Sequence, residues 1–185
     1  MSEVIYEEGL LTKKLFDILI KDDKTGEFIY KAGKDWKNFD YEKGFNALIQ
    51  KDKTGKWIYY AGETWPKFDY KKGLDALIQK DKTGKWIYFA GERWKNFDYE
   101  KGLDGLIKND KTGEWLYHVG MFWPKFNPKK VIKILREKFP RYYRKSLKDW
   151  PPGKIKLTNL NKKLKNNKQI KPRKFSIKEE ILSLL

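Results

Sequence analysis

FDYKKGLDALIQKDKTGKWIYFAGERWKN, from Phe68 to Asn96, is the clearest copy of a unit whose Asp-Lys-Thr-Gly signature recurs every 29 residues, with threonines at Thr25, Thr54, Thr83 and Thr112. Repetition at a fixed period of this length marks a stacked-repeat architecture. Neighbouring copies start at Phe39 and Phe97, a degenerate copy lies near Leu10, and another begins at Phe126, which makes about five units over roughly residues 8–150.

Which columns vary decides the secondary structure. After each Thr-Gly come FIYKAGKDW, WIYYAGETW, WIYFAGERW and WLYHVGMFW. Positions 1, 2, 5, 6 and 9 hold their residue type, while 4, 7 and 8 vary together. That is a helical stripe with an opposite face; a strand would separate odd from even positions. Upstream, Tyr70, Leu74, Leu77 and Ile78 share one helical face after Asp69, an N-cap residue type. In the fifth copy Asn127-Pro128 precedes KKVIKILREKF, with cap and first-turn proline in the order that starts a helix. A two-residue deletion then aligns Tyr142 to Pro151 with Trp115 to Pro124. The rival reading takes KDKTGKW as a hairpin turn before a β-rich segment; the outer copies diverge while keeping helical periodicity, which favours helices.

The expected fold is therefore all-α: an α-solenoid of about five two-helix repeats with a 29-residue period over residues 1–150, followed by a basic C-terminal extension, residues 151–185, that closes in a short helix. Recurrent mid-helix glycines, Gly44, Gly73 and Gly102 in the first helix and Gly33, Gly62, Gly91 and Gly120 in the second, each cost about 1 kcal/mol relative to alanine, so close helix approach is expected there.

The run WIYFAGERWKNFDYEKGLDGLI and its sister copies resemble the tandem helical-hairpin arrays of the type YIYxFAxxVxGxxxxKLExALI found in bacterial and bacteriophage proteins. The resemblance covers most of residues 10–126 and implies a fold, with no activity or functional residue attached to it. This chain departs from the pattern by placing Trp36, Trp65, Trp94 and Trp123 where those arrays often have valine, and by its Asp-Lys-Thr-Gly connector.

Composition excludes much chemistry. The chain has no cysteine and a single histidine, His118, so thiolate metal sites and any site needing two imidazoles are ruled out. No catalytic, metal-ligating or cofactor-binding residue is expected. The acids of Asp-Lys-Thr-Gly, Asp23, Asp52, Asp81 and Asp110, read as helix caps or partners of the next turn's amides, and Asp40, Asp69 and Asp98 as first-helix caps. The same four letters open the phosphorylated-aspartate motif of P-type ATPases, but that chemistry needs a strand end in a Rossmann-like domain. His118 reads as a surface or packing residue. The two tryptophan columns, Trp57, Trp86 and Trp115, and Trp36, Trp65, Trp94, Trp123 and Trp150, read as core or inter-repeat knobs. An acidic amino terminus and the absence of a ~20-residue apolar run predict no membrane span and a cytoplasmic protein.

The net charge of +17 is unevenly placed. Residues 1–126 carry 22 Lys and one Arg against 21 acids; residues 127–185 carry 15 Lys and four Arg against four. A non-enzymatic scaffold that binds RNA or DNA through this basic region, without base-specific readout, is the expected function. The expected phosphate contacts are Arg136, Arg141, Arg144, Lys154, Lys156, Lys162, Lys163, Lys165, Lys168, Lys171, Arg173 and Lys174. The alternative is a protein-interaction adaptor or inhibitor, encoded by a phage or mobile element, that takes an acidic protein on the variable face through Tyr60, Phe89, Arg93, Met121 and Phe122.

Overall fold

In the computed structural model, residues 13–151 are described, and all the regular structure among them is helical. The chain divides into two units, Met1–Trp150 and Pro151–Leu185. Within the first unit a helix over residues 13–22 (α1) is followed by α2 (Glu27–Asp35), α3 (Tyr41–Lys51), α4 (Lys56–Thr64), α5 (Tyr70–Lys80), α6 (Lys85–Arg93), α7 (Tyr99–Asn109), α8 (Glu114–Phe122), α9 (Pro128–Lys138) and α10 (Pro140–Asp149). The even-numbered helices stack in one row, each also packed against its sequence neighbours in a second row.

The odd-numbered helices start where the sequence places caps. The side chains of Asp40, Asp69, Asp98 and Asn127 accept from the backbone N–H groups of Lys43, Lys72, Lys101 and Lys130 at 2.9–3.1 Å. Each of α3, α5 and α7 ends at the aspartate of Asp-Lys-Thr-Gly, whose own N–H donates to a leucine carbonyl four residues back, as Asp52 does to Leu48 at 2.8 Å. The same residue then starts the next helix. Asp52 Oδ1 accepts from the N–H groups of Thr54 and Gly55 at 2.9 Å, and Oδ2 from those of Trp57 and Ile58 at 2.8 and 3.0 Å. Gly55 must lie at φ +83° for these amides to converge, a conformation in which a side chain is strained; its counterparts Gly26, Gly84 and Gly113 do the same, and no other described residue has positive φ.

Ile29, Ile58, Ile87 and Leu116 from the even row and Leu48, Leu77, Leu106 and Leu135 from the odd row are fully enclosed and form the core between the rows. Between repeats the contact is aromatic. Trp65, Trp94, Trp123 and Trp150 are buried, and each indole N–H donates to a carbonyl of the preceding even helix: Tyr30, Tyr59, Tyr88 and Tyr117, at 2.9–3.0 Å. The mid-helix glycine of that preceding helix makes the seat. A Cβ on Gly62 would lie 2.4 Å from the Trp94 ring, and one on Gly91 2.3 Å from Trp123. Exposed polar contacts, Lys43–Asp17, Lys72–Asn46, Lys101–Asp75 and Lys130–Asp104, link successive odd helices and contribute at most about 1 kcal/mol each.

The fifth unit is complete but differently joined. Phe139 and Pro140 replace the aspartate loop, with the proline in the first turn of α10, and Trp150 still reaches the Tyr117 carbonyl, so the two-residue deletion lies in this connector. Arg144 then falls in the column of Tyr117, and Leu147 in the column of Gly120. The outer side of α10 thus lacks both the tyrosine and the glycine seat a further repeat would need, as a terminal repeat requires.

Candidate nucleic-acid interface

Helices α9 and α10 carry nine cations against two acids, and all nine are exposed. Their spacing follows the core: Val131 and Leu135 face inward, leaving Lys129, Lys133 and Arg136 on one outer stripe of α9. Arg141, Arg144, Lys145 and Lys148 recur at three- and four-residue intervals along α10, while Ser146 turns inward. Among these cations only Lys130 forms an ion pair, with Asp104, within the described residues.

One of the two acids is engaged elsewhere. Tyr117 donates its phenol to Asp149 Oδ2 at 2.5 Å. Burial first, then this hydrogen bond and the Asp149 charge, push the Tyr117 phenol up to about 12, so it remains a neutral donor throughout the physiological range. Lys145 lies over the rings of Tyr117 and Tyr142 at 5.0 and 5.9 Å, and the Arg141 guanidinium over Tyr142 at 5.9 Å. These contacts orient the cations without neutralising them, and neither cation has a carboxylate partner among the described residues.

Of the residues expected to contact phosphate, Arg136, Arg141 and Arg144 therefore share one exposed hairpin. Lys154, Lys156, Lys162, Lys163, Lys165, Lys168, Lys171, Arg173 and Lys174 lie outside the described residues. Lys129 and Lys133 on α9 and Lys145 and Lys148 on α10 are exposed on the same hairpin and are not among the residues expected from sequence; the helical spacing within KKVIKILREK and RYYRKSLK is the signal that finds them.

The variable face forms a second candidate surface. Tyr60, Phe89 and Met121 are half-buried, Arg93 is exposed beside Glu92, and Phe122 is 53% exposed. His118 is half-buried in a cluster with Tyr88, Trp115, Tyr117 and Phe122, a packing position. The two tryptophan columns prove unequal. Trp65, Trp94, Trp123 and Trp150 are core knobs, whereas Trp57, Trp86 and Trp115 are half-buried and bridge repeats by lying on the preceding tyrosine, Trp57 on Tyr30 at 5.4 Å and Trp86 on Tyr59 at 5.3 Å. Tyr59 and Tyr88 are held far above the usual phenol range by burial and then by the charges of Glu63 and Glu92, to which they hydrogen-bond; Arg93 opposes this in both.

Among the described residues no helix is long and apolar enough to cross a membrane, and no three His, Asp or Glu side chains gather as a metal site would. The chain matches no known family, no curated protein and no solved structure.

Proposed function

We propose that this protein is a non-enzymatic repeat scaffold that binds the phosphates of RNA or DNA through its last hairpin and the basic sequence after it, without reading base identity. The supporting observation is the set of exposed cations on α9 and α10, nine Lys and Arg facing solvent with a single ion pair among the described residues. Flexible lysines outnumber arginines in the whole chain 37 to 5, a composition suited to phosphate attraction more than to bidentate recognition of guanine.

Neutralising six to ten phosphates makes affinity fall by about 10³- to 10⁵-fold between 50 and 200 mM salt. The full chain should show such a slope on RNA and on DNA of unrelated sequences. Replacing Arg136, Arg141 and Arg144 by glutamine should lower the slope by about one for each phosphate left without its cation, and removing residues 151–185 should lower it further. A full chain that fails to bind at low salt, or binds with a slope untouched by both changes, overturns the proposal.

A further inference from the structure

The connectors that lead from each odd helix into the next even one touch each other in series. A Cβ on Gly26 would lie 3.6 Å from the Asp52 Cβ, one on Gly55 3.6 Å from that of Asp81, and one on Gly84 3.2 Å from that of Asp110. A Cβ on Gly113 would meet the Phe139 ring at 2.4 Å, so the series runs on into the α9–α10 connector, which Lys138 and Arg141 flank. These connectors make one continuous edge of the array, and its far end belongs to the basic hairpin.

Charge is sorted onto this edge. The two central connectors carry Lys51, Lys53 and Lys56, then Lys80, Lys82 and Lys85. Their acids, Asp52 and Asp81, are 1% exposed, with both carboxylate oxygens engaged by backbone amides. The flanking connectors add Lys21, Lys24, Lys108 and Lys111, against Asp22, Glu27 and Glu114. None of these ten lysines pairs with a carboxylate among the described residues. The connectors on the other side, from even helix to odd, are balanced: Asp35 and Asp40, Glu63 and Asp69, and Glu92 and Asp98 are all exposed beside their cations. The near neutrality of residues 1–126 thus hides a separation, with most of the exposed acids on one edge and an excess of cations on the other.

The chemistry of the edge selects its occupant. In the two central connectors, residues 49–57 and 78–86, the fully exposed side chains are Gln, Lys and Thr only. A protein partner is anchored by an aromatic or aliphatic core, which these side chains do not offer. A chain of phosphates needs only spaced cations. Lys24, Lys53, Lys82 and Lys111 supply them at the same position of successive units, all four exposed, on helices packed about 8–10 Å apart.

We infer that the phosphate backbone of a nucleic acid held by the last hairpin continues along this edge, with Lys53, Lys82 and Lys111 each drawing a phosphate. The inference rests on the proposed function and extends its site across the repeats.

The test measures the salt dependence of binding between the full chain and a labelled 30-base-pair DNA duplex. Lys53→Gln, Lys82→Gln and Lys111→Gln together remove three charges from the edge while keeping the aspartate, threonine and glycine of each connector. Lys37→Gln, Lys67→Gln and Lys95→Gln remove three exposed charges from the other side, and unchanged helical circular dichroism certifies both folds. The edge variant should lower the slope of log affinity against log salt by about one for each phosphate left without its cation; the second variant should leave the slope unchanged. An equal loss in both variants makes net charge the cause and overturns the inference. An edge variant with an unaltered slope, beside a lowered slope in the Arg136, Arg141 and Arg144 glutamine variant, overturns the inference and leaves the proposed function standing. If the unaltered chain fails to bind the duplex at low salt, both fall. Binding to polyglutamate in preference to the duplex, weakened by the edge variant, assigns the edge to an acidic protein and also overturns the inference.

Discussion

Asp23, Asp52, Asp81 and Asp110 hold carboxylates at 1–2% exposure with no ion pair among the described residues, an arrangement that would be costly without compensation. Backbone amides at the start of the next helix supply it. In Asp23 burial alone would raise the carboxyl, but N–H groups from Ile29, Thr25 and Gly26, with the Thr25 hydroxyl, outweigh burial and hold it below the ordinary carboxylate range. A depressed folded-state value means stability that is fully present above the unfolded value near pH 4 and lost as pH falls through the folded value. The melting temperature should therefore be flat from pH 7 to pH 5 and drop below pH 4, and Asp23→Asn should blunt part of that acid dependence in a thermal melt series. At neutral pH, Asp81→Ala strands the N–H groups of Thr83, Gly84, Trp86 and Ile87, so a loss of about 2–4 kcal/mol is expected by urea titration. Cap roles such as these are legible in the sequence because cap and capped turn are chain neighbours.

Helix by helix, the sequence conveys period, boundaries and apolar faces, since each depends on spacing inside about 11 residues. It cannot separate the two tryptophan columns. Both are fixed, and fixity reports packing of some kind; whether a ring is enclosed on both faces depends on a helix some 30 residues away. The recurring glycines are readable as sites of close approach, but their partner, the indole of the next repeat, is not. That partner reverses a propensity argument. Gly62→Ala ought to stabilise α4 by about 1 kcal/mol on helix propensity alone. Because the new Cβ would meet the Trp94 ring at 2.4 Å, the expected outcome is instead a loss of about 1–3 kcal/mol, with the unfolding midpoint deciding the sign. The basic hairpin is legible as composition, its arginines included. Its lysine stripes emerge only once Val131, Leu135 and Ser146 fix which way α9 and α10 face.

At the scale of the whole array, the two ends differ in a way that bears on how it stops. The first unit leaves Phe28 61% and Ile18 56% exposed, in columns that Trp57 and Ala47 occupy one repeat later. Phe28 has no described tyrosine beneath it of the kind that Trp57 finds in Tyr30. The last unit closes the other way, with Arg144 and Leu147 where a following repeat would need tyrosine and glycine. Repeat arrays gain stability from each added interface between matched neighbours, so position decides what an extra unit is worth. A second copy of residues 68–96 inserted directly after Asn96 meets a tyrosine and a glycine seat on the repeat before it and offers both to the one after. It should raise the melting temperature by several degrees. The same unit joined after residue 152, the position that corresponds to Asn96, meets Arg144 and a leucine side chain where its first tryptophans must lie, and should leave the midpoint unchanged. Arg144→Tyr with Leu147→Gly should restore the gain in that second arrangement; equal stabilisation at both positions without those changes would show that α10 does not terminate the array.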